Sequence, residues 1–117
     1  MELPKCDILI SLDQYQSLAC STAIYPPKFG LAYTVTGLAA EAGELVGKYA
    51  KALRDDAGII APARRAAMIS ELGDVLWFAA MVAQELGTSL TNVAKLNIQK
   101  LQDRQNRNVL GGSGDYR

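Results

Sequence analysis

Two acidic tetrads hold the side chains of this sequence that are best suited to chemistry. EAGE supplies the carboxylates of Glu41 and Glu44, and ELGD supplies those of Glu71 and Asp74. Residues three apart on a helix lie about 5–6 Å apart at Cβ, so each tetrad places two carboxylates on one helix face. The intervening residues 45–70 are enough to complete one helix and return antiparallel. That arrangement would bring four negative charges together.

The ligand chemistry of such a cluster points to a hard divalent cation. Burying unpaired carboxylates is prohibitive, so water or cations must compensate them. The sequence contains no His, which removes the Glu-x-x-His di-iron pattern and argues against zinc. All-oxygen ligation favours Mg²⁺, with Mn²⁺ as a substitute, and bound Mg²⁺ usually contacts substrate phosphates as well. The predicted chemistry is therefore phosphoryl chemistry.

A second interpretation of each acidic pair is a solvated helix face, which is what charged residues usually form. The positions of the two tetrads in the sequence favour the metal site. ELGD directly precedes the apolar run VLWFAAMVA and EAGE directly follows LAA, and a merely solvated face would rarely lie at the edge of a buried segment. Gly43 and Gly73 each cost about 1 kcal/mol relative to Ala inside a helix. Tight helix packing or crowding around a ligand would offset this cost, and Gly43 with Gly47 has the spacing of a groove.

Composition narrows the class of protein. A chain of 117 residues suits a single domain, and 12 basic residues against 12 acidic ones give zero formal charge. Zero charge argues against a nucleic-acid polymer as partner. Cys6 and Cys20 form no CxxC pair, and the first residues lack the pattern of a signal peptide, so we expect a reduced, cytoplasmic protein. No run of eighteen uncharged apolar residues occurs, so no membrane partner is expected.

The apolar periodicity predicts an all-α bundle of four to five helices. Ser11 and Gln14 have capping-box spacing and begin a first helix over 12–22. Further helices are predicted over 33–54, over 62–86 with Pro62 at its first position, and over 90–108. We expect residues 1–110 to form one domain and the Gly-rich residues 111–117 to form a flexible tail.

The run VLWFAAMVA at 75–83 predicts self-association. It is apolar at every position, and a helix that is apolar all round is buried all round. Four short helices cannot enclose one helix completely. The chain is therefore expected to form a homodimer or homotetramer.

Cations and aromatic residues near the acidic tetrads are candidates for substrate contacts. Helical spacing puts two lysines on the acidic face of the second helix, two aromatic rings just after the second tetrad, and polar groups along one face of the fourth helix. Solvated charges and core aromatics are the competing interpretations. The candidates are Lys48, Lys51, Trp77, Phe78, Asn97, Lys100 and Arg104.

These residues together resemble a known family. The tetrads match the ExxE…ExxD signature of the MazG-like, all-α nucleoside triphosphate pyrophosphohydrolases, and the resemblance runs from Tyr15-Gln16 through GLAAEAGELVGKYAKALRDD and ELGDVLWF to NIQKLQDR and GGSGD. It implies that the four tetrad acids are catalytic Mg²⁺ ligands. It further implies that water attacks the α-phosphorus of a nucleoside triphosphate, releasing pyrophosphate and a monophosphate in nucleotide house-cleaning. The position of Phe78 matches an aromatic base contact in similar enzymes.

Several functional interpretations stay open at the level of the sequence. Phosphoribosyl-ATP pyrophosphohydrolase is a related helical enzyme with similar metal chemistry. A non-catalytic helical dimer that binds nucleotides, or an antitoxin-like scaffold, would use the same fold without turnover. The GGSGD segment could instead fold over a triphosphate, because Gly-rich backbone can present N–H groups to anions. The base that is preferred does not follow from the sequence.

Overall fold

The computed structural model describes residues 10–117, and this part of the chain contains helices and no strand. Cys6 and the start of the predicted domain lie outside the described residues. The all-α prediction is confirmed. The helices are α1 (Leu12–Cys20), a 3-10 helix (Pro27–Phe29), α2 (Gly30–Asp55), α3 (Pro62–Glu85) and α4 (Leu90–Asn106).

The helix starts follow local capping chemistry. Ser11 Oγ accepts a hydrogen bond from the Gln14 amide (3.1 Å), and Gln14 Oε1 accepts one from the Ser11 amide (2.8 Å), which is the predicted capping box. Pro62 occupies the first turn of α3, and Ser89 Oγ accepts from the Asn92 amide at the start of α4. These starts agree with the predicted ones.

Helix α2 begins three residues before its predicted start at residue 33. The 3-10 turn over Pro27–Phe29 runs directly into Gly30, so the backbone is already helical before Thr34. Thr34 is completely buried and its Oγ1 donates to the Leu31 carbonyl (3.3 Å), so it is an interior residue of the helix. The chain enters α2 through a proline turn, without a side-chain cap.

Helix α3 is the centre of the fold. It packs along α2 as a helical hairpin, and its C-terminal half also contacts α1 and α4. The core at that end is small and combines Ala19 of α1, Leu90 of α4 and a group from α3 that consists of Ala80, Met81 and Ala83. The α2–α3 hairpin therefore extends from a three-helix core.

Gln16 joins three parts of this core. Its Nε2 donates to Gln84 Oε1 (3.1 Å) and to the Thr88 carbonyl (3.0 Å), and its Oε1 accepts from the Leu90 amide (2.7 Å). Gln16 is only 6% exposed. A buried amide with all its partners in place orients the elements that supply them.

The apolar run 75–83 is only partly covered by this chain. Phe78 and Met81 are buried, whereas Leu76 is 41% exposed. By length and composition alone α3 could cross a membrane, since it has 24 residues and a mean hydropathy of 1.5 over its best window, but core helices of soluble proteins meet the same criterion. The absence of a membrane partner stays a prediction.

Candidate functional site

Three of the four predicted metal ligands converge across the α2–α3 hairpin. Glu41 on α2 faces Glu71 and Asp74 on α3, and one carboxylate oxygen from each lies within 4.8 Å of the others. Glu41 and Glu71 are half-buried, and Asp74 is exposed. Glu44, also exposed, lies one turn further along α2 and outside this compact group of three, which we call the acidic cluster.

The acidic cluster carries more negative charge than its surroundings compensate. Desolvation raises the pKa of Glu41 above its ordinary value, and the negative charges of Asp74, Glu71 and Glu44 raise it further. Glu44 thus acts on the cluster by its charge. Carboxylate oxygens at this spacing, partly open to solvent, fit the ligand preference of a hard divalent cation such as Mg²⁺.

Lys48 is the positive charge that the structure places at the cluster. Its Nζ lies 3.4 Å from Glu71 Oε1 across the hairpin, and both side chains are largely covered. Lys51, one turn on, is exposed. The pKa of Asp55 at the end of α2 is lowered mainly by its hydrogen bond with Arg54, and the charge of Lys51 is a minor contributor. The two lysines therefore have different environments, and Lys48 is the one that contacts a predicted ligand.

The helix glycines near the acids face open space within this chain. A Cβ added at Gly43, Gly47 or Gly73 would meet no atom of the described residues within 4 Å. The predicted close helix packing at these glycines is therefore absent within the described chain. Gly37 behaves differently, because a Cβ there would overlap the Phe78 ring.

The two candidate aromatic residues fill the interior beside the acidic cluster. Phe78 is 9% exposed, and its ring packs against Trp77 edge-on at 4.9 Å and against Tyr33 at 5.7 Å between centroids. Trp77 Nε1 donates to Thr22 Oγ1 (2.8 Å). These contacts are those of core aromatics, so the base-contact role of both residues stays a prediction.

Tyr15 is a residue whose ionisation is affected by the charge of the cluster and which was not among the candidates predicted from the sequence. Burial raises the pKa of its phenol, and the negative charge of Asp74 raises it further. Tyr15 lies on α1, which packs on the helix that carries Asp74. Nothing in the local pattern of α1 indicates this, because the two residues are far apart in the chain and only the packing of α1 on α3 brings them together.

The candidate residues of α4 contact other parts of the molecule. Asn97 and Lys100 line an apolar groove of about 560 Å³ together with Leu76 of α3. Lys100 and Arg104 both bind Asp115, which lies beyond α4. The contacts seen for these two cations are thus with residue 115, and their predicted role at the substrate stays a prediction.

Comparison with known proteins identifies the family of this chain. The chain matches the family described as MazG nucleotide pyrophosphohydrolase domain over residues 29–109, a range that includes all four tetrad acids. It is 44% identical over 112 residues to the Gene 37 protein of Mycobacterium phage L5, an alignment that covers 91% of this chain and 98% of that protein. No solved structure gives a significant match. Since the family match spans more than half of the chain, this protein belongs to the MazG nucleotide pyrophosphohydrolase domain family.

Proposed function

We propose that this protein is a Mg²⁺-dependent pyrophosphohydrolase that converts nucleoside or deoxynucleoside triphosphates to a monophosphate and pyrophosphate. The observation that carries the proposal is the convergence of Glu41, Glu71 and Asp74 within 4.8 Å across the hairpin of a MazG-family chain. The biological role that we assign is removal of unwanted nucleotides from the pool.

The acids have separate parts in this mechanism. Glu41, Glu71 and Asp74 would hold Mg²⁺. Glu44 lies one turn away, where its charge acts on Glu41, and its role as a fourth ligand stays a prediction. When bound, the metal would neutralise charge on the triphosphate and make water a better nucleophile. Catalysis of this kind consists mainly of positioning and charge stabilisation, so no nucleophilic side chain is required.

Lys48 and Tyr15 are the remaining polar groups that we place at the substrate. Lys48 balances Glu71 in the structure described here, and its flexible side chain can turn towards a phosphate oxygen once a metal takes over that carboxylate. The negative charge of Asp74 helps to raise the pKa of the Tyr15 phenol, and this phenol would donate a hydrogen bond to bound water or phosphate.

Self-association belongs to the same proposal. The hairpin exposes apolar side chains on both helices, and the chain has a radius of gyration of 17.1 Å where about 13 Å is typical for a compact domain of its length. An apolar surface of this extent favours a second copy of the chain as its cover. Examples are Val46, Leu53, Ile69 and Leu72, each at least half exposed.

Zero net charge supports a small-molecule substrate over a nucleic-acid polymer. We also keep the expectation of a cytoplasmic protein as part of this proposal. It is supported by the low cysteine content, since two cysteines are too few for the dense disulfide framework that is typical of small secreted domains.

Product analysis with matched variants tests the enzyme. A panel of ribo- and deoxynucleoside triphosphates is incubated with Mg²⁺ and wild type, Asp74→Asn or Asp55→Asn. Asp55 is an exposed carboxylate paired with Arg54, so its variant makes the same charge change outside the acidic cluster. We expect wild type and Asp55→Asn to release pyrophosphate and a monophosphate. In Asp74→Asn the rate of product formation should fall by about 100-fold or more.

Other product patterns would contradict the proposal. Orthophosphate with a nucleoside diphosphate would place the attack at a different phosphorus. If no triphosphate is turned over, phosphoribosyl-ATP is the next substrate to test, and failure there too would leave a nucleotide-binding protein without this activity.

A further inference from the structure

Residues 108–117, which we call the 108–117 loop, fold back onto the last turns of α4. Arg104 Nη2 donates to the Asp115 carbonyl (3.0 Å) and to Asp115 Oδ1 (3.1 Å). Lys100 Nζ lies 3.4 Å from the same Oδ1. One carboxylate oxygen is therefore shared by two cations that lie four residues apart on one helix face.

The two sides of this contact differ in exposure. The Arg104 side chain is 7% exposed, whereas the Asp115 side chain is 73% exposed. Arg104 Nε is buried and has no hydrogen-bond partner among the described residues. The loop thus covers a cation whose donors are not all used, and it does so with an anion that is itself at the surface.

The loop is held mainly by polar contacts. Arg117 donates to the carbonyls of Gly114 and Leu110, and Arg107 Nη2 donates to the Arg117 carbonyl (2.9 Å). Leu110 is 52% exposed and Tyr116 is fully exposed. Because little apolar surface is buried, displacing the loop would forfeit hydrogen bonds and ion pairs that water can replace, with little loss of hydrophobic stabilisation.

A carboxylate that binds Arg104 and Lys100 together shows what else this pair can bind. Guanidinium and ammonium groups bind carboxylate and phosphate oxygens with the same charge-assisted hydrogen bonds. Two anions cannot occupy one pair of cations without repelling each other. The hydrogen bonds and charges of Arg104 and Lys100 also lower the pKa of Asp115 below its ordinary value of 3.8. Its carboxylate is therefore negatively charged at neutral pH.

We propose that Asp115 is an internal anion that occupies the Lys100–Arg104 pair and is displaced when the polyphosphate chain of a substrate binds there. This inference rests on the proposed function for the identity of the ligand. The 108–117 loop is then a self-inhibitory contact: it keeps the cation pair neutralised in the free protein and competes with the substrate for it.

Calorimetry with inorganic tripolyphosphate and Mg²⁺ tests the competition directly. Asp115→Asn keeps the side-chain shape and removes the charge, and Asp55→Asn is the control with the same charge change elsewhere. Relief of one exposed ion pair predicts that Asp115→Asn binds tripolyphosphate about two- to fivefold more tightly than wild type. Equal or weaker binding by Asp115→Asn, or the same gain in Asp55→Asn, would overturn the proposal.

Combining Asp115→Asn with a substitution of Lys100 or Arg104 tests whether the gain in tripolyphosphate affinity depends on these cations. In Lys100→Gln, whose parent side chain is 44% exposed and so tolerates substitution, the gain from Asp115→Asn should shrink. In Arg104→Gln it should disappear. A gain of undiminished size in both backgrounds would show that Asp115 acts through other groups and would overturn the proposal.

Hydrogen exchange distinguishes displacement from closure. Amide exchange in the 108–117 loop of wild type should become faster when Mg²⁺ and tripolyphosphate are added. Slower exchange would mean that the loop closes over the ligand, which contradicts the inference. If wild type hydrolyses triphosphates but Asp115→Asn shows no gain in affinity, only this inference fails. If no triphosphate is hydrolysed, the proposed function fails, and the tripolyphosphate titrations still show whether Asp115 competes with a polyphosphate for the two cations.

Discussion

The ammonium group of Lys48 on α2 lies 3.4 Å from a carboxylate oxygen of Glu71 on α3, across the hairpin that holds the acidic cluster. Glu41 and Asp74 lie beside this pair, so one ammonium group faces three carboxylates and does not neutralise the whole cluster. In the proposed function, a divalent cation would have to share Glu71 with Lys48 or displace Lys48 from it. The free protein thus holds the proposed metal ligands partly neutralised.

Removal of Lys48 should strengthen metal binding in the absence of nucleotide. In Lys48→Gln the cation no longer competes with an internal ammonium group for Glu71, so Mg²⁺ should bind about two- to fivefold more tightly, as expected for a partly exposed ion pair. Calorimetric titration with Mg²⁺ measures this. Lys51→Gln makes the same charge change one turn on, and a gain as large in that variant would show a general charge effect and no specific competition.

Neutralising Glu41 should stabilise the metal-free protein and abolish its stabilisation by metal. Glu41→Gln removes a half-buried charge that three other acids repel, so the metal-free melting temperature should rise. Wild type at a Mg²⁺ concentration of 100 times its Kd should gain about 2.7 kcal/mol. Thermal unfolding with and without Mg²⁺ tests both parts, and a variant that keeps the full metal-induced gain would exclude Glu41 as a ligand.

As the pH is lowered, the affinity for Mg²⁺ should begin to fall at a higher pH than it would for a site made of carboxylates with ordinary pKa values. The folded-state pKa of Glu41 lies above its ordinary value of 4.5, and metal binding requires the carboxylate form. Mg²⁺ binding should therefore weaken as the pH falls through the raised pKa. Calorimetric titration with Mg²⁺ at several pH values across this range tests the assignment. Asp55→Asn, which leaves the acidic cluster intact, should give the same pH dependence as wild type, and a wild-type affinity that falls only near pH 4.5 would contradict the assignment.

The raised pKa of Glu41 also affects the stability of the metal-free protein, and in the opposite direction: lowering the pH favours the fold while it weakens metal binding. Because the native state holds the proton on Glu41 more tightly than the unfolded chain does, this group stabilises the fold below its ordinary pKa, and that contribution is lost as the pH rises through the raised one. Asp55 and Asp103, whose pKa values are lowered by Arg54 and Arg107 respectively, stabilise the fold above their ordinary pKa instead. Unfolding of wild type and Glu41→Gln over the acidic range should separate the two contributions.

Substitution of Gly37 should destabilise the fold. A Cβ at this position would overlap the Phe78 ring, which is already packed against Trp77 and Tyr33, so Gly37→Ala should reduce the free energy of unfolding by about 1–3 kcal/mol. Chemical denaturation measures the change. Gly47→Ala is the control, since its Cβ meets nothing within 4 Å and Ala favours the helix; an equal loss there would indicate that another chain covers that face of α2.

Gln16→Met should destabilise the junction of α1, α3 and α4. The apolar side chain has a similar length but leaves the Leu90 amide without its acceptor and the Thr88 carbonyl without a donor. Buried groups left unpaired cost about 1–3 kcal/mol. Gln99→Met, at an exposed position of α4, should change the free energy of unfolding by less than about 0.5 kcal/mol. Similar losses in both variants would show that the buried network adds nothing specific.

The helices and the acidic site could be predicted because their signals are local or periodic. The capping box at Ser11, the proline at the start of α3 and the apolar stripes act within one or two turns of the chain. The spacing within each tetrad fixes two carboxylates on one face of a helix, and the turn between the helices brings the faces together. Convergence of Glu41 with Glu71 and Asp74 follows from these facts.

The exact membership of the cluster and the partners of α4 could not be predicted in this way. How far α2 is rotated and shifted along α3 decides that Glu44 lies outside the compact group and that Lys48 meets Glu71. Likewise, the side of α1 that carries Tyr15 is turned towards Asp74 only by the packing of α1 on α3. Helix periodicity acts over a few residues, so an all-α chain with paired acids on adjacent helices follows from the residue pattern alone. Which charges meet, including Asp115 with Lys100 and Arg104, depends on how distant segments pack and is therefore a property of the folded chain.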